Sequence, residues 1–241
     1  MKRNNTMKQL TKIALTSSLL LGVISSAQAR MEDDPVELKL MLDKFEVGRV
    51  NGNTVQSWES GLWIGKDLNK LWLKSEGERV GGETEGMENR VLYSRAIAPF
   101  WDLQTGWRRD SVPGESRDYF TIGLQGLAPY YFETDANISF GKNSQIKLNL
   151  AFEYEMMLTQ KLVLSPEIGL NLYSKDDMAM GIGSGLSDME AGLRLRYEIK
   201  REFAPYIGVN WAKKFGNTAD LLGAGEDSSE TMFVAGVRLW Y

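Results

Sequence analysis

Apolar and polar residues alternate with a period of two over most of this chain, the pattern of extended strands whose successive side chains point to opposite faces. In "IKLNLAFEYEM", Ile146, Leu148, Leu150, Phe152, Tyr154 and Met156 share one face, opposite Lys147, Asn149, Ala151, Glu153 and Glu155. "MEAGLRLRYEI" sets Met189, Ala191, Leu193, Leu195, Tyr197 and Ile199 against Glu190, Gly192, Arg194, Arg196 and Glu198. Twelve such segments are predicted, at about 38–50, 54–64, 70–76, 88–97, 100–109, 118–127, 130–140, 145–157, 161–173, 188–199, 204–214 and 231–241. The last, "FVAGVRLWY", runs to Tyr241 with apolar side chains on one face, so it needs a partner strand and apolar surroundings.

Strands of this kind build either a sandwich with its apolar faces inside or a membrane barrel with those faces outside. The breaks separate the two. Those after even-numbered strands are tight: "KDLN", Ala98-Pro99, Ala128-Pro129, Thr159-Gln160 and "KREF". Those after odd-numbered strands are mostly longer: "GERVGGETEGM", "DSVPGESR", "SKDDMAMGIGSGLS" and "FGNTADLLGAGEDSSE", with "NGN" and "GKNS" as short exceptions. Short turns alternating with long loops are the mark of an outer-membrane barrel, and an even strand count closes the sheet without an edge. The expected fold is all-β: an antiparallel transmembrane outer-membrane β-barrel of about 12 strands over residues 38–241, with both termini periplasmic.

The beginning of the chain agrees with export. Lys2, Arg3, Lys8 and Lys12 precede an apolar run from Ile13 to Ile24 and then Ala27-Gln28-Ala29, the order of a signal peptide cleaved after residue 29. The run is too short for a spanning helix, which needs about 20 apolar residues. Residues 30–37 then form a short periplasmic segment before the barrel. Removing 1–29 leaves 24 basic against 32 acidic residues, a net charge of −8. Such a chain has no electrostatic case for nucleic acid.

There is neither cysteine nor histidine. A Ser-His or Asp-His catalytic site therefore cannot form, and "GIGSGLSD" joins two strands instead of opening a phosphate-binding helix; no enzymatic role is expected. Asp102, Arg108, Glu133, Asp135, Glu153, Glu155, Glu167, Glu190, Arg194, Arg196, Glu198 and Arg238 fall on the face opposite the apolar one. Their mixed signs fit either ion pairs bracing the interior or a wet passage with a cation-attracting wall.

Several runs resemble the copper resistance protein B family of bacterial outer membranes: "NKLWLKSEGE", "LYSRAIAPFWDLQTGWRRD", "LTQKLVLSPEIGLNLYSKDD", "GIGSGLSDMEAGLRLRYEIKREFAPYIGVNWAKKFGNTAD" and "VAGVRLWY". The likeness covers about residues 40–241. It implies an outer-membrane barrel in copper resistance that binds or passes copper ions, beside a periplasmic copper-handling protein. The alternative is a general small-solute channel or structural outer-membrane protein without a metal role. Members commonly carry a Met- and His-rich segment before the barrel, where this chain has only "RMEDDPVELKLM". Any copper site must then use thioether, carboxylate or backbone groups, and thioether suits Cu(I). Met178 and Met180, with Asp176 and Asp177 just before them, lie in the loop after the ninth strand, where M-x-M spacing in an extended segment puts both sulfurs on one side. The other reading is that they pack over the barrel mouth. Met31 and Met41 are candidate remnants of the family's metal segment.

Overall fold

The computed structural model describes residues 34–223 and 226–241. The expected signal peptide, Met31 and the first half of the short segment before the barrel, residues 30–33, lie outside them. Val36–Tyr241 forms one compact unit. Its strands are β1 (Glu37–Val50), β2 (Asn53–Lys66), β3 (Asn69–Val80), β4 (Glu83–Ala98), β5 (Trp101–Val112), β6 (Glu115–Ala128), β7 (Phe132–Gly141), β8 (Ile146–Tyr154, resuming as Met156–Met157), β9 (Leu162–Tyr173), β10 (Gly185–Tyr197), β11 (Phe203–Lys214) and β12 (Ser229–Trp240). Each pairs antiparallel with the next, and β12 pairs with β1 to close the barrel. At the seam Gly48 lies opposite Val234 and Met41 opposite Trp240, while Leu40 and Tyr241 exchange both backbone hydrogen bonds at 2.9 and 2.8 Å. The last strand therefore has no free edge.

The side chains are arranged inside out relative to a water-soluble domain. Arg108, Ser94 and Ser139 have no exposed surface, whereas Leu38, Phe120, Ile207 and Leu193 stand open on the outer face. In water each exposed aliphatic group would forgo roughly 25 cal/mol per Å² of burial. Against hydrocarbon that cost vanishes, and a closed ladder leaves no backbone group unpaired in lipid. No helix among the described residues is long and apolar enough to cross a membrane. The crossing is made by strands.

Most strands have 12 to 16 residues, more than the ~9–11 needed to span the hydrocarbon. The surplus lies at the end opposite the termini, here called the loop end. Two of the long loops expected from the sequence are therefore hairpins. Polar residues of "GERVGGETEGM" continue the β3–β4 ladder, with Val80 opposite Glu83, and the turn is only Gly81-Gly82, both at positive φ (61° and 95°). That geometry suits a two-residue hairpin turn. Similarly, "DSVPGESR" lies within β5 and β6, with Val112 paired to Glu115. The longer connections that remain, 174–184 and 215–228, are both at the loop end. The second carries a short helix, α1 (Gly216–Asp220).

Strand β1 contains a bulge, where its register against β2 shifts between Leu42 and Lys44. Two-residue alternation is interrupted there, so Asp43 and Lys44 both serve the interior: Asp43 reaches Arg238 and Lys44 reaches Glu59.

Candidate functional site: a charged lumen

Because strand neighbours repeat at every second residue, each stave contributes a column of polar groups to the lumen, and columns at matching heights meet across the bore. On the side of β3 to β8 the pairs form one connected network. Arg90 binds Glu76, Glu88 at 2.9 Å and Asp135 at 3.5 Å. Fully buried Arg108 binds Glu88 and Asp110, and Lys147 reaches Asp110 at 3.0 Å. Lys74 spans from β3 to Asp135 on β7 at 3.1 Å, also donating to Gln104 and Gln125. On the opposite side Arg194 binds Glu46 and Glu167, and Lys44 bridges Glu59 and Glu167 at 3.0 and 2.9 Å. Nearer the termini, Arg196 and Arg238 share Glu155, each at 2.6 Å. Buried charges persist only when paired, so these contacts are what allows the interior to be ionic at all.

Between the networks lies a cavity of about 710 Å³, many times the ~15 Å³ that one water needs. Its wall carries the expected Glu133, Asp135, Glu153, Glu167, Glu190, Arg194, Arg196 and Arg238. A smaller cavity of about 170 Å³ adjoins Glu155, Glu198 and Arg201 at the terminus end. The wall's basic groups are already engaged. Lys44, Lys74, Arg90, Arg194, Arg196 and Arg238 each have a carboxylate partner, and Lys39 stacks 5.2 Å above the Trp240 ring at the rim. Glu133, Glu153 and Glu190 form no ion pair or side-chain hydrogen bond with any described residue and face the same space. The wall thus carries three carboxyl groups that no basic side chain engages.

The lumen charges therefore divide into two groups. Arg108, Asp135, Glu155, Glu167, Arg194, Arg196 and Arg238 brace the interior, while Glu133, Glu153 and Glu190 line open space. Sequence reasoning missed Lys44, Glu46, Lys74, Glu76, Glu88, Arg90 and Asp110, and it placed Lys147 on the polar face without naming it among the lumen charges. For Lys147 the alternation alone carried the signal; for Lys44 the bulge hid it.

The metal candidates are scattered. Met41 lines the cavity, and its methyl group and the Trp72 ring both approach Gly61. Met178 to Met180 form a 3-10 turn instead of an extended segment, so Met178 is 77 % exposed and Met180 is buried at 7 %. The two sulfurs do not share a side. Asp176 accepts from Ser184 N at 2.6 Å and Asn217 Nδ2 at 3.1 Å. Asp177 accepts two bonds from Arg117, at 2.7 and 3.0 Å. These contacts hold both carboxyls below their ordinary values, chiefly the Ser184 backbone N–H for Asp176 and the Arg117 guanidinium for Asp177. Among the described residues no group of three or more Asp, Glu, His or Cys is placed to hold a metal ion.

A closed twelve-stave cylinder with apolar side chains outward and an ionic lumen is an outer-membrane β-barrel. A solved structure titled as the NanC porin shares this fold, with a TM-score of 0.55 at 13% identity, over 84% of this chain and 99% of that one. The family described as "Copper resistance protein B precursor (CopB)" matches residues 36–241. Copper resistance protein B of Escherichia coli is 43% identical over 212 residues, covering 88% of this chain and 72% of the relative. A homolog from Pseudomonas syringae pv. tomato is 39% identical over 213 residues, with the same two coverages. The chain belongs to the copper resistance protein B family.

Proposed function

We propose that this outer-membrane barrel serves copper resistance by admitting copper cations to its lumen, with its short-turn end and both termini in the periplasm. The observation that carries the reading is the cavity wall: its arginines and inner lysines are neutralised by partners, and Glu133, Glu153 and Glu190 are left over. An unpaired carboxylate in a confined, partly desolvated space attracts a cation more strongly than one in bulk water, because the local dielectric is lower. Met41 adds a thioether to the same wall, a ligand suited to Cu(I). The role is non-enzymatic, and a periplasmic copper-handling protein would meet the cavity at the terminus end.

The test is copper-dependent growth of a strain lacking the chain, complemented with wild type or with Glu133→Gln, Glu153→Gln and Glu190→Gln combined. The triple variant is expected to restore much less tolerance than wild type at equal outer-membrane abundance. Full restoration would overturn the lumen reading. Should removal of the chain leave copper tolerance unchanged while altering passage of other small solutes, a general channel replaces the copper reading.

A further inference from the structure

The cavity does not run the length of the barrel. Its wall is built from residues at mid-height and toward the terminus end, and neither loop 174–184 nor loop 215–228 contributes to it. Above it, toward the loop end, buried side chains stand on two sides of the interior. On one side Arg108, Asp110, Tyr119, Lys147 and Tyr173 are all buried, and on the other Val55, Met232 and Val234 form an apolar cluster backed by Val50 and Val80.

Over these side chains the two loops fold inward. Thr218 of α1 donates to Ser187, an inward residue of β10, at 3.0 Å, and its hydroxyl accepts from Gly183 N at 2.9 Å. Loop 174–184 is pinned into a tight hairpin by the Asp177–Ile182 bridge. Although it connects β9 to β10, it reaches β6 through the two-pronged Arg117–Asp177 pair, three staves away round the rim. That is a strap across part of the mouth, and Met180 is buried in it.

We propose that loop 174–184 is a gate closing the loop end of the lumen, with Arg117–Asp177 as its latch. In the latched form the barrel is a vestibule open toward the terminus end; solute crosses only when the strap lifts. The inference rests on reading the lumen as a passage, but not on copper being what passes. A paired guanidinium and carboxylate, each partly exposed, suit a latch because their geometry is strong enough to set the position and their net energy weak enough to be released.

Conductance in potassium chloride across planar bilayers tests this without copper, so its failure is separable from failure of the copper reading. Asp177→Asn and Arg117→Gln are expected to raise open probability about fivefold, the shift that loss of one such pair produces. The chain has no cysteine, so Arg117→Cys with Asp177→Cys can be bridged by a short bifunctional thiol reagent. Bridging should return open probability to the wild-type level or below, and cleaving the bridge should raise it again. Heat-modifiable gel mobility reports that each variant is a folded barrel. Folded variants that conduct as wild type does, with the bridge making no difference, would overturn the gate.

Discussion

Arg108 is a guanidinium with no exposed surface, held by Glu88 and Asp110 in the middle of a barrel whose outside is apolar. Removing one member of a buried pair leaves the others charged and unmatched, at a cost of roughly 3–5 kcal/mol. Arg108→Ala is therefore expected to lower the urea midpoint of the refolded barrel markedly, while Arg109→Ala, whose Asp118 pair is exposed on the outer face, should shift it little. Equal midpoints would contradict the bracing role. At the loop end the relevant group is Asp177, paired with Arg117 of β6, which also binds Glu115; the neighbouring Lys175 donates to the Asn143 carbonyl oxygen and Asp176 accepts from Ser184 and Asn217. Its folded pKa lies below the unfolded value of about 3.9. The latch's contribution is then complete above that value and is lost as pH falls through the depressed one. Open probability should be flat from about pH 7 to about 5 and rise only below about 4; a rise already between 7 and 5 would count against Asp177 as the latch. Alternation told that side chains such as Glu155 and Arg196 face inward, but not which of them meet, because meeting depends on height and circumference. It also misplaced Met178 and Met180, since a local turn, anchored by Asp177 accepting from Met180 N at 3.0 Å, replaces the extended geometry the spacing assumed.

At the scale of elements, the strands were legible because lipid on one side and water on the other force a strict alternation. Their ends were less so. Beyond the membrane both faces of a hairpin can be polar, so "GERVGGETEGM" reads as a loop although Glu78, Arg79 and Val80 continue the ladder. The β1 bulge did leave a trace: Leu38, Leu40 and Leu42 are followed by Phe45 and Val47, a phase shift of one residue across Asp43-Lys44. The closing seam depends on close approach. A Cβ at Gly48 would lie 2.5 Å from Met232 Sδ and 2.9 Å from the Phe233 carbonyl oxygen, and the second atom is backbone and cannot move aside. Gly48→Val is expected to destabilise closure by about 1–3 kcal/mol, seen as a larger unfolded fraction on unboiled gels. Met232→Ala in addition should recover only part of it, and complete recovery would place the clash on the side chain alone.

For the molecule as a whole, the inverted distribution of side chains and the charge balance of the lumen are one design. Ion pairs let arginine and lysine occupy the interior without filling it. What is left over between them is a set of carboxyl groups without basic partners, in a chain of net charge −4 with neither histidine nor cysteine. The family resemblance in the sequence pointed to copper, while the location of these carboxyl groups required the three-dimensional pairing. The most direct measurement is the reversal potential of the Asp177→Asn barrel across a potassium chloride gradient, where the gate no longer limits the current. A lumen governed by Glu133, Glu153 and Glu190 gives a potential of the cation-selective sign, which moves toward zero when all three are changed to Gln. A zero or anion-selective potential before that change would contradict the account.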